Sequence, residues 1–266
     1  MSEYRMLIGG ALVPGDMTMD VVNPATGVPF ATAPRASVRQ ADEAIAAAKA
    51  AVPGWGATPF AERAAKLSAL ADAIAAHADE LARLLTQEQG KPLPEALGEV
   101  GWTEGYLRHY ATLELPDRVI QDDDAGYVAV KHKPLGVVVG IIAWNFPLLV
   151  ACWKIGPAVL AGNAIVLKPA PTTPLTALKL GEICQSIFPA GVVNIITDAN
   201  DLGPHLTTHP DVAKVGFTGS TNTGKAIVAN AASGLKRVTL ELGGNDPAIV
   251  LEDVDVKETA KAIFGN

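Results

Sequence analysis

Four places in the chain carry groups whose type and setting suit chemistry: Asn145 in "AWNFPLL", Lys168 in "AIVLKPAPTTP", Gly219 with Ser220 in "VGFTGSTNTGKA", and Glu241 in "RVTLELGGNDPAIV". Glu241 stands between two apolar runs, just before Gly243 and Gly244. In an apolar pocket a carboxylate becomes a stronger base, and paired glycines let a ligand approach the backbone closely. The Asn145 side-chain amide can donate to a developing oxyanion from a rigid strand-to-helix corner. Residues 219–225 have the glycine and lysine spacing of a phosphate-binding loop, but Ala226 stands where a hydroxyl must hold Mg²⁺, which removes the case for nucleotide hydrolysis. What survives is a turn into a helix N-terminus capped by Ser220, able to receive a pyrophosphate. Plainer readings stand beside these. Ser220 serves equally as a simple cap, Asn145 as a turn residue, Lys168 as a solvated strand-end lysine, and Glu241 as a hydrated carboxylate or a partner for Lys236 or Arg237.

These positions acquire meaning from the elements that place them. From Pro134 onward, apolar, β-branched runs at residues 137–142, 164–167, 192–196, 213–217 and 238–240 alternate with helical segments beginning near Leu148, Pro174, Leu202 and Thr221. Such alternation predicts an α/β fold: a doubly wound, mainly parallel, Rossmann-like sheet with helices on both faces. Ligands in such sheets bind beyond the carboxyl ends of the strands, and each of the four positions directly follows a strand. No G-x-G-x-x-G occurs, so the standard dinucleotide fingerprint is missing. Upstream the chain reads as helical. Ser37 opens one helix. A second covers residues 58–92, with Thr58 and Pro59 as start, Gly90 and Pro92 as stop, and Leu67, Leu70, Ile74, Leu81 and Leu84 along one stripe. A third runs from Pro94 to about Tyr110, although Gly98, Gly101 and Gly105 count against it. Residues 116–133 then read as a β-hairpin standing off the core around an acidic turn.

Composition narrows the function classes. The 266 residues are 49% hydrophobic and 18% charged, enough apolar material for a large core. A formal net charge of -7 speaks against a nucleic-acid partner, which needs clustered Lys and Arg. Residues 135–153, "LGVVVGIIAWNFPLLVACW", approach the length of a membrane span, but the β-branched run and then Asn145 and Pro147 favour strand, loop and helix. No membrane partner is therefore expected. Cys152 and Cys184 both lie in apolar surroundings, as buried structural thiols in a reducing cytoplasm would, and offer no metal knuckle; no metal site is expected. The opening "MSEYRMLIGG" lacks a basic-then-apolar targeting pattern.

In order and spacing, "AWNFPL", "GPAVLAGNAIVLKPAPTTPLTAL", "FPAGVVNII", "HPDVAKVGFTGSTNTGK" and "LKRVTLELGGNDPAIV" resemble the aldehyde dehydrogenase superfamily. The resemblance implies NAD(P)-dependent oxidation of a small-molecule aldehyde to a carboxylic acid through a cysteine thioester, in a homo-oligomer. It gives Asn145 the role of oxyanion donor and Glu241 that of the general base activating water, with Lys154 of "WKIGPA" on a proton path. For the cofactor it implies Ile142, Ala143 and Trp144 at the first corner, and Lys168 at the adenosine ribose with Pro171 beside it. Gly203 follows, then Phe217, Thr218, Gly219 and Ser220, and finally Glu241, Leu242 and Gly243. The implied domains are an NAD(P)-binding domain of residues 1–115 and 134–242, an oligomerisation hairpin of 116–133, and the start of a catalytic domain at 243–266.

Two departures qualify this. The family's nucleophilic cysteine lies in a "GQ-x-C" segment after "ELGG", whereas this sequence ends at Asn266 without one. The 266 residues alone are therefore expected to be inactive and, with an unpartnered hairpin, prone to associate. The alternative is a dinucleotide-binding or interaction module without catalysis. Pro171 also stands where many NAD-preferring members carry an acid that would repel a 2′-phosphate, which leaves NADP open beside NAD, the expected cofactor.

Overall fold

The structure is a computed structural model and describes residues 4–264. The first three residues of the expected leaderless start, and the last two of the sequence, fall outside the described residues. Four short strands precede the first helix and were not anticipated: β1 (Met6–Ile8), β2 (Ala11–Val13), β3 (Met17–Asn23) and β4 (Val28–Arg35). At three residues, β1 and β2 are too short for alternation to register. Helix α1 (Val38–Ala57) begins at Ser37, where Ser37 and Gln40 form a reciprocal capping box.

The expected helix over residues 58–92 is two helices, α2 (Phe60–Ala76) and α3 (Ala78–Gln89). His77 leaves the helical region (φ −106°, ψ 18°) and its ring bonds the Ala73 carbonyl at 2.8 Å, breaking a stripe that continues on both sides. Gly90 ends α3 at φ 95°, a left-handed cap that only glycine adopts without strain. Helix α4 (Leu93–Ala111) follows despite its three glycines. Among the described residues, strands β5 (Arg118–Asp123) and β6 (Gly126–Val130) pair only with each other, leaving Val119, Ile120, Tyr127 and Val128 exposed.

The remaining elements alternate: β7 (Val137–Ile141), α5 (Pro147–Leu160), β8 (Ala164–Lys168), α6 (Leu175–Gln185), β9 (Val193–Ile195), α7 (Gly203–Thr208), β10 (Val212–Gly219), α8 (Thr221–Ala232) and β11 (Arg237–Leu242). Helix α9 (Val256–Phe264) ends the described chain with no buried residue. The sheet order is β11-β10-β7-β8-β9-β1-β2, parallel from β11 to β9 and antiparallel at the β1 and β2 edge. Side chains alternate across it: Val138, Ile165 and Leu167 enter the core under α2, α4 and α5, while Val137, Val139, Ile141 and Val166 enter the core under α1, α7 and α8. The apolar stretch once comparable to a span divides into β7, a corner and α5, and no helix among the described residues is long and apolar enough to cross a membrane.

Candidate active site

Parallel register brings the strand exits level. Ile141 lies beside Lys168 and Phe217, Phe217 lies beside Leu240, and Thr218 lies beside Glu241. Beyond this edge opens a cavity of about 860 Å³, within the range of cofactor sites. Its wall includes Ile142, Ala143, Trp144 and Asn145 from the β7 exit, Lys168 and Pro171 from the β8 exit, and Gly203 from α7. Phe217, Thr218, Gly219 and Ser220 come from the β10 exit, and Gly243 closes the list of expected contacts. Glu241 and Leu242 do not reach it. They line an adjoining cavity of about 480 Å³ with Asn145, Trp102, Phe146, Leu149 and Trp153. Ala143, Asn145, Thr218, Gly219 and Gly243 belong to both walls, so the two spaces meet at Asn145 and Gly219.

Ser220 caps α8, its Oγ accepting the Thr223 N–H at 3.2 Å, so the helix N-terminus faces the larger cavity. Thr218 lines both cavities, and its Oγ1 is buried with no hydrogen-bond partner among the described residues. Lys225 does not line the cavity, which matches the rejection of a hydrolase phosphate loop.

Lys168 corrects the plain reading. It is 4% exposed rather than solvated, and its Nζ donates to Asp198 Oδ1 at 2.6 Å. Asp198, itself fully buried, accepts the Leu202 N–H at 2.9 Å through Oδ2, tying the lysine to the start of α7. Asp198 escaped the sequence reading although it follows β9 closely, because the exit of that strand was passed over. Glu241 is a second correction: it is exposed at the boundary of two cavities, not enclosed in an apolar pocket. The second of these, about 560 Å³, holds Lys154 with Lys214 and Thr239. Gly140, where an added Cβ would come within 3.1 Å of the Lys154 Cβ, lets that side chain lie against the sheet. Burial lowers the Lys154 ammonium below its ordinary value, with Glu241 opposing and Lys214 adding to the shift. Lys154 therefore shares a cavity with Glu241 but not with Asn145.

The corner bearing Asn145 is fixed by two residues not singled out from sequence. Lys91 Nζ donates to the Asn145 carbonyl at 2.9 Å, lies 3.9 Å from the Phe146 ring centre, and pairs with the buried Glu99 carboxylate. Glu99 Oε1 in turn accepts the Leu148 and Leu149 N–H groups at 3.0 and 3.2 Å, at the start of α5. Asn145, held by its carbonyl, lines both cavities. These ties cross about fifty positions of sequence, so no local pattern marks them.

Cys152 and Cys184 are buried at 0% and 1% exposure and line none of these cavities; burial pushes both thiols up. Neither is placed to act as a nucleophile.

Comparison with known proteins agrees with this geometry. The model of the aldehyde dehydrogenase family matches residues 13–266. A phenylacetaldehyde dehydrogenase from Pseudomonas fluorescens is 43% identical, with 99% of this chain and 56% of that protein covered. An aldehyde dehydrogenase from a Fusarium species is 39% identical over 99% of this chain and 56% of its own length. Among solved structures, betaine aldehyde dehydrogenase from Staphylococcus aureus in complex with NAD+ superimposes with a TM-score of 0.94 at 33% identity, covering 97% of this chain and 53% of that one. A structure from Burkholderia cenocepacia gives 0.94 at 39% identity, covering 99% and 56%. The chain thus spans just over half the length of the curated relatives it matches. A parallel sheet with a ligand cavity at its carboxyl edge, the Asn145 corner and the Glu241 strand end, matched by a family model from residue 13 onward, establish that the chain belongs to the aldehyde dehydrogenase family.

Proposed function

We propose that this chain provides the dinucleotide site, oxyanion donor and general base for NAD(P)+-dependent oxidation of an aldehyde to a carboxylic acid. The observation that carries the reading is the junction of the two cavities at Asn145 and Gly219, which lets an aldehyde beside Asn145 meet a nicotinamide from the larger space. The bound dinucleotide supplies the hydride acceptor. The α8 N-terminus and Ser220 receive its pyrophosphate, Lys168 is positioned by Asp198 for a ribose hydroxyl, and Trp144 and Pro171 flank the cavity. No Asp or Glu lines this cavity among the described residues, so nothing there repels a 2′-phosphate. That admits NADP+ beside NAD+, the dinucleotide bound in the solved betaine aldehyde dehydrogenase that this chain resembles.

In the smaller cavity the Asn145 amide donates to the aldehyde oxygen as negative charge develops there, and Glu241 takes a proton from the water that cleaves a thioester. Lys154, sharing a cavity with Glu241, provides a route for that proton. Trp102, Phe146, Leu149 and Trp153 make the wall suit an apolar aldehyde. The thioester requires a thiol open to this space, and both thiols of these 266 residues are buried away from it. Residues 1–266 alone thus bind the dinucleotide without turning over aldehyde. In this reading residues 1–115 and 134–242 form the dinucleotide domain, residues 243–266 lead toward a catalytic one, and the exposed hairpin of 116–133 pairs with a second copy.

The test is NAD+ and NADP+ titration of the 266-residue protein, followed by fluorescence of the exposed Trp144 and by calorimetry. Saturable binding is expected, weakened at least about tenfold by Gly203→Phe, because an added Cβ at Gly203 meets no protein atom and its side chain can occupy the cavity. Phenylacetaldehyde with NAD+ should give no sustained NADH. Absence of binding by either dinucleotide, or steady turnover by this chain, would overturn the assignment.

A further inference from the structure

On the other side of α7 from the large cavity, three metal-ligating side chains converge. His205 and His209, four residues apart across one helical turn, project toward Asp42 of α1. His205 Nε2 lies 2.6 Å from Asp42 Oδ1 and His209 Nε2 lies 3.5 Å from the same oxygen, with all three ligand atoms within 4.8 Å of one another. Ligands about 2.1 Å from a tetrahedral zinc ion stand about 3.4 Å apart, so the His209 to Asp42 spacing already fits and the His205 contact needs only a small opening. All three side chains retain access to water, which leaves room for that adjustment and for a water as fourth ligand.

The neighbouring charges favour this use. Lys49 is engaged with Asp211 at 2.5 Å and Arg35 with Asp201 at 2.7 Å, while Lys236 donates to the carbonyls of His209 and Val212 at 2.6 and 2.8 Å, so each of these cations already has a partner other than Asp42. One contact opposes it: His209 Nδ1 accepts the Asp211 N–H at 3.2 Å, and metal on Nε2 puts the ring proton on Nδ1 and costs this long bond. We propose that Asp42, His205 and His209 form a binding site for a divalent late transition ion, Zn²⁺ above all, that ties α7 to α1. Two imidazoles with one carboxylate are a donor set such ions prefer over Mg²⁺ or Ca²⁺. Because Gly203, Pro204 and Thr207 of the same helix line the large cavity, the bound ion braces the wall of that cavity from outside. The inference does not depend on the catalytic reading.

The experiment is calorimetric titration of the chelator-treated 266-residue protein with ZnCl₂, repeated in the presence of excess MgCl₂. One Zn²⁺ per chain at micromolar affinity is expected, undisturbed by Mg²⁺, together with a rise in thermal midpoint on adding Zn²⁺. His205→Ala and His209→Ala should each weaken binding at least about tenfold and abolish the rise, and Asp42→Asn should weaken it less. Circular dichroism of these partly exposed variants keeps the comparison among folded proteins. No binding at micromolar Zn²⁺, or equal binding by wild type and both histidine variants, would overturn the proposal and leave a plain His–Asp hydrogen bond.

Discussion

Helices α5 and α6 both leave the sheet at the edge where the cavities open, and both have their first N–H groups capped by a buried glutamate from a distant helix. At α5 the cap is Glu99, which also pairs with Lys91. At α6 it is Glu88, whose two oxygens accept the Leu175 and Thr176 N–H groups at 2.6 and 2.9 Å, with no cation paired to it among the described residues. Burial, the largest effect, pushes the Glu88 carboxyl up to about 7, the Thr176 side chain and the two N–H bonds pull it down, and the charge of Glu99 adds an upward push. The same backbone problem, unsatisfied donors at a helix start, is thus solved once with a counter-ion and once without. The counter-ion stands at the corner that carries Asn145, where its ammonium also fixes a carbonyl next to the chemistry.

Removing that counter-ion should have the largest effect. Lys91→Met leaves the Glu99 charge buried and unpaired and frees the Asn145 carbonyl, a loss of about 3–5 kcal/mol in denaturant unfolding. Adding Glu99→Leu removes the stranded charge but leaves the Leu148 and Leu149 N–H groups uncapped, so the double variant should recover part of the loss. Full recovery would mean that Glu99 contributes nothing as a cap, and a negligible loss in Lys91→Met would mean that the pair is not formed.

The α6 corner should instead respond to pH. A carboxyl raised in the folded state contributes stability that is fully present below its unfolded value of about 4.5 and is lost as pH rises through about 7. Relative to Glu88→Gln, the wild-type protein should therefore lose on the order of 3 kcal/mol between pH 4.5 and 8. Gln forfeits one N–H bond at every pH, so only the slope of the difference decides. Parallel stability curves for the two proteins would show that the N–H bonds keep Glu88 ionised throughout.

Sequence alone revealed what depends on local pattern. The β-branched runs, the alternation with helices and the position of each residue just after a strand placed Asn145, Lys168, Gly219 and Glu241 on one edge, and the structure keeps them there. It was silent where partners are remote. Glu88, Lys91 and Glu99 read as ordinary charges on helices, because what makes them matter is burial against backbone 49 to 88 positions away. Lys168 was misread as solvated for the same reason, since Asp198 arrives from another strand exit. His77 broke a helix whose apolar stripe never faltered, and β1 and β2 draw their strand character from pairing at the sheet edge rather than from their own three residues.

A third helix start sharpens the contrast. Helix α8 is capped locally by Ser220, exposed, from the position adjoining the helix it caps. Water can replace that hydroxyl, so Ser220→Ala should cost only about 1 kcal/mol, less than either buried corner. Its functional effect runs the other way. The same hydroxyl lines the large cavity at the point assigned to pyrophosphate, so the substitution should weaken NAD+ binding while leaving the fold nearly untouched. Lys91→Met should do the reverse, with a large loss of stability and a smaller change in dinucleotide affinity, because Lys91 does not itself line that cavity and touches it only through the Asn145 carbonyl. Measuring unfolding and NAD+ titration on both variants tests this separation. If Ser220→Ala lost several kcal/mol, or if the two variants lost affinity alike, the division between a buried frame that fixes the corners and an exposed cap that meets the ligand would fail.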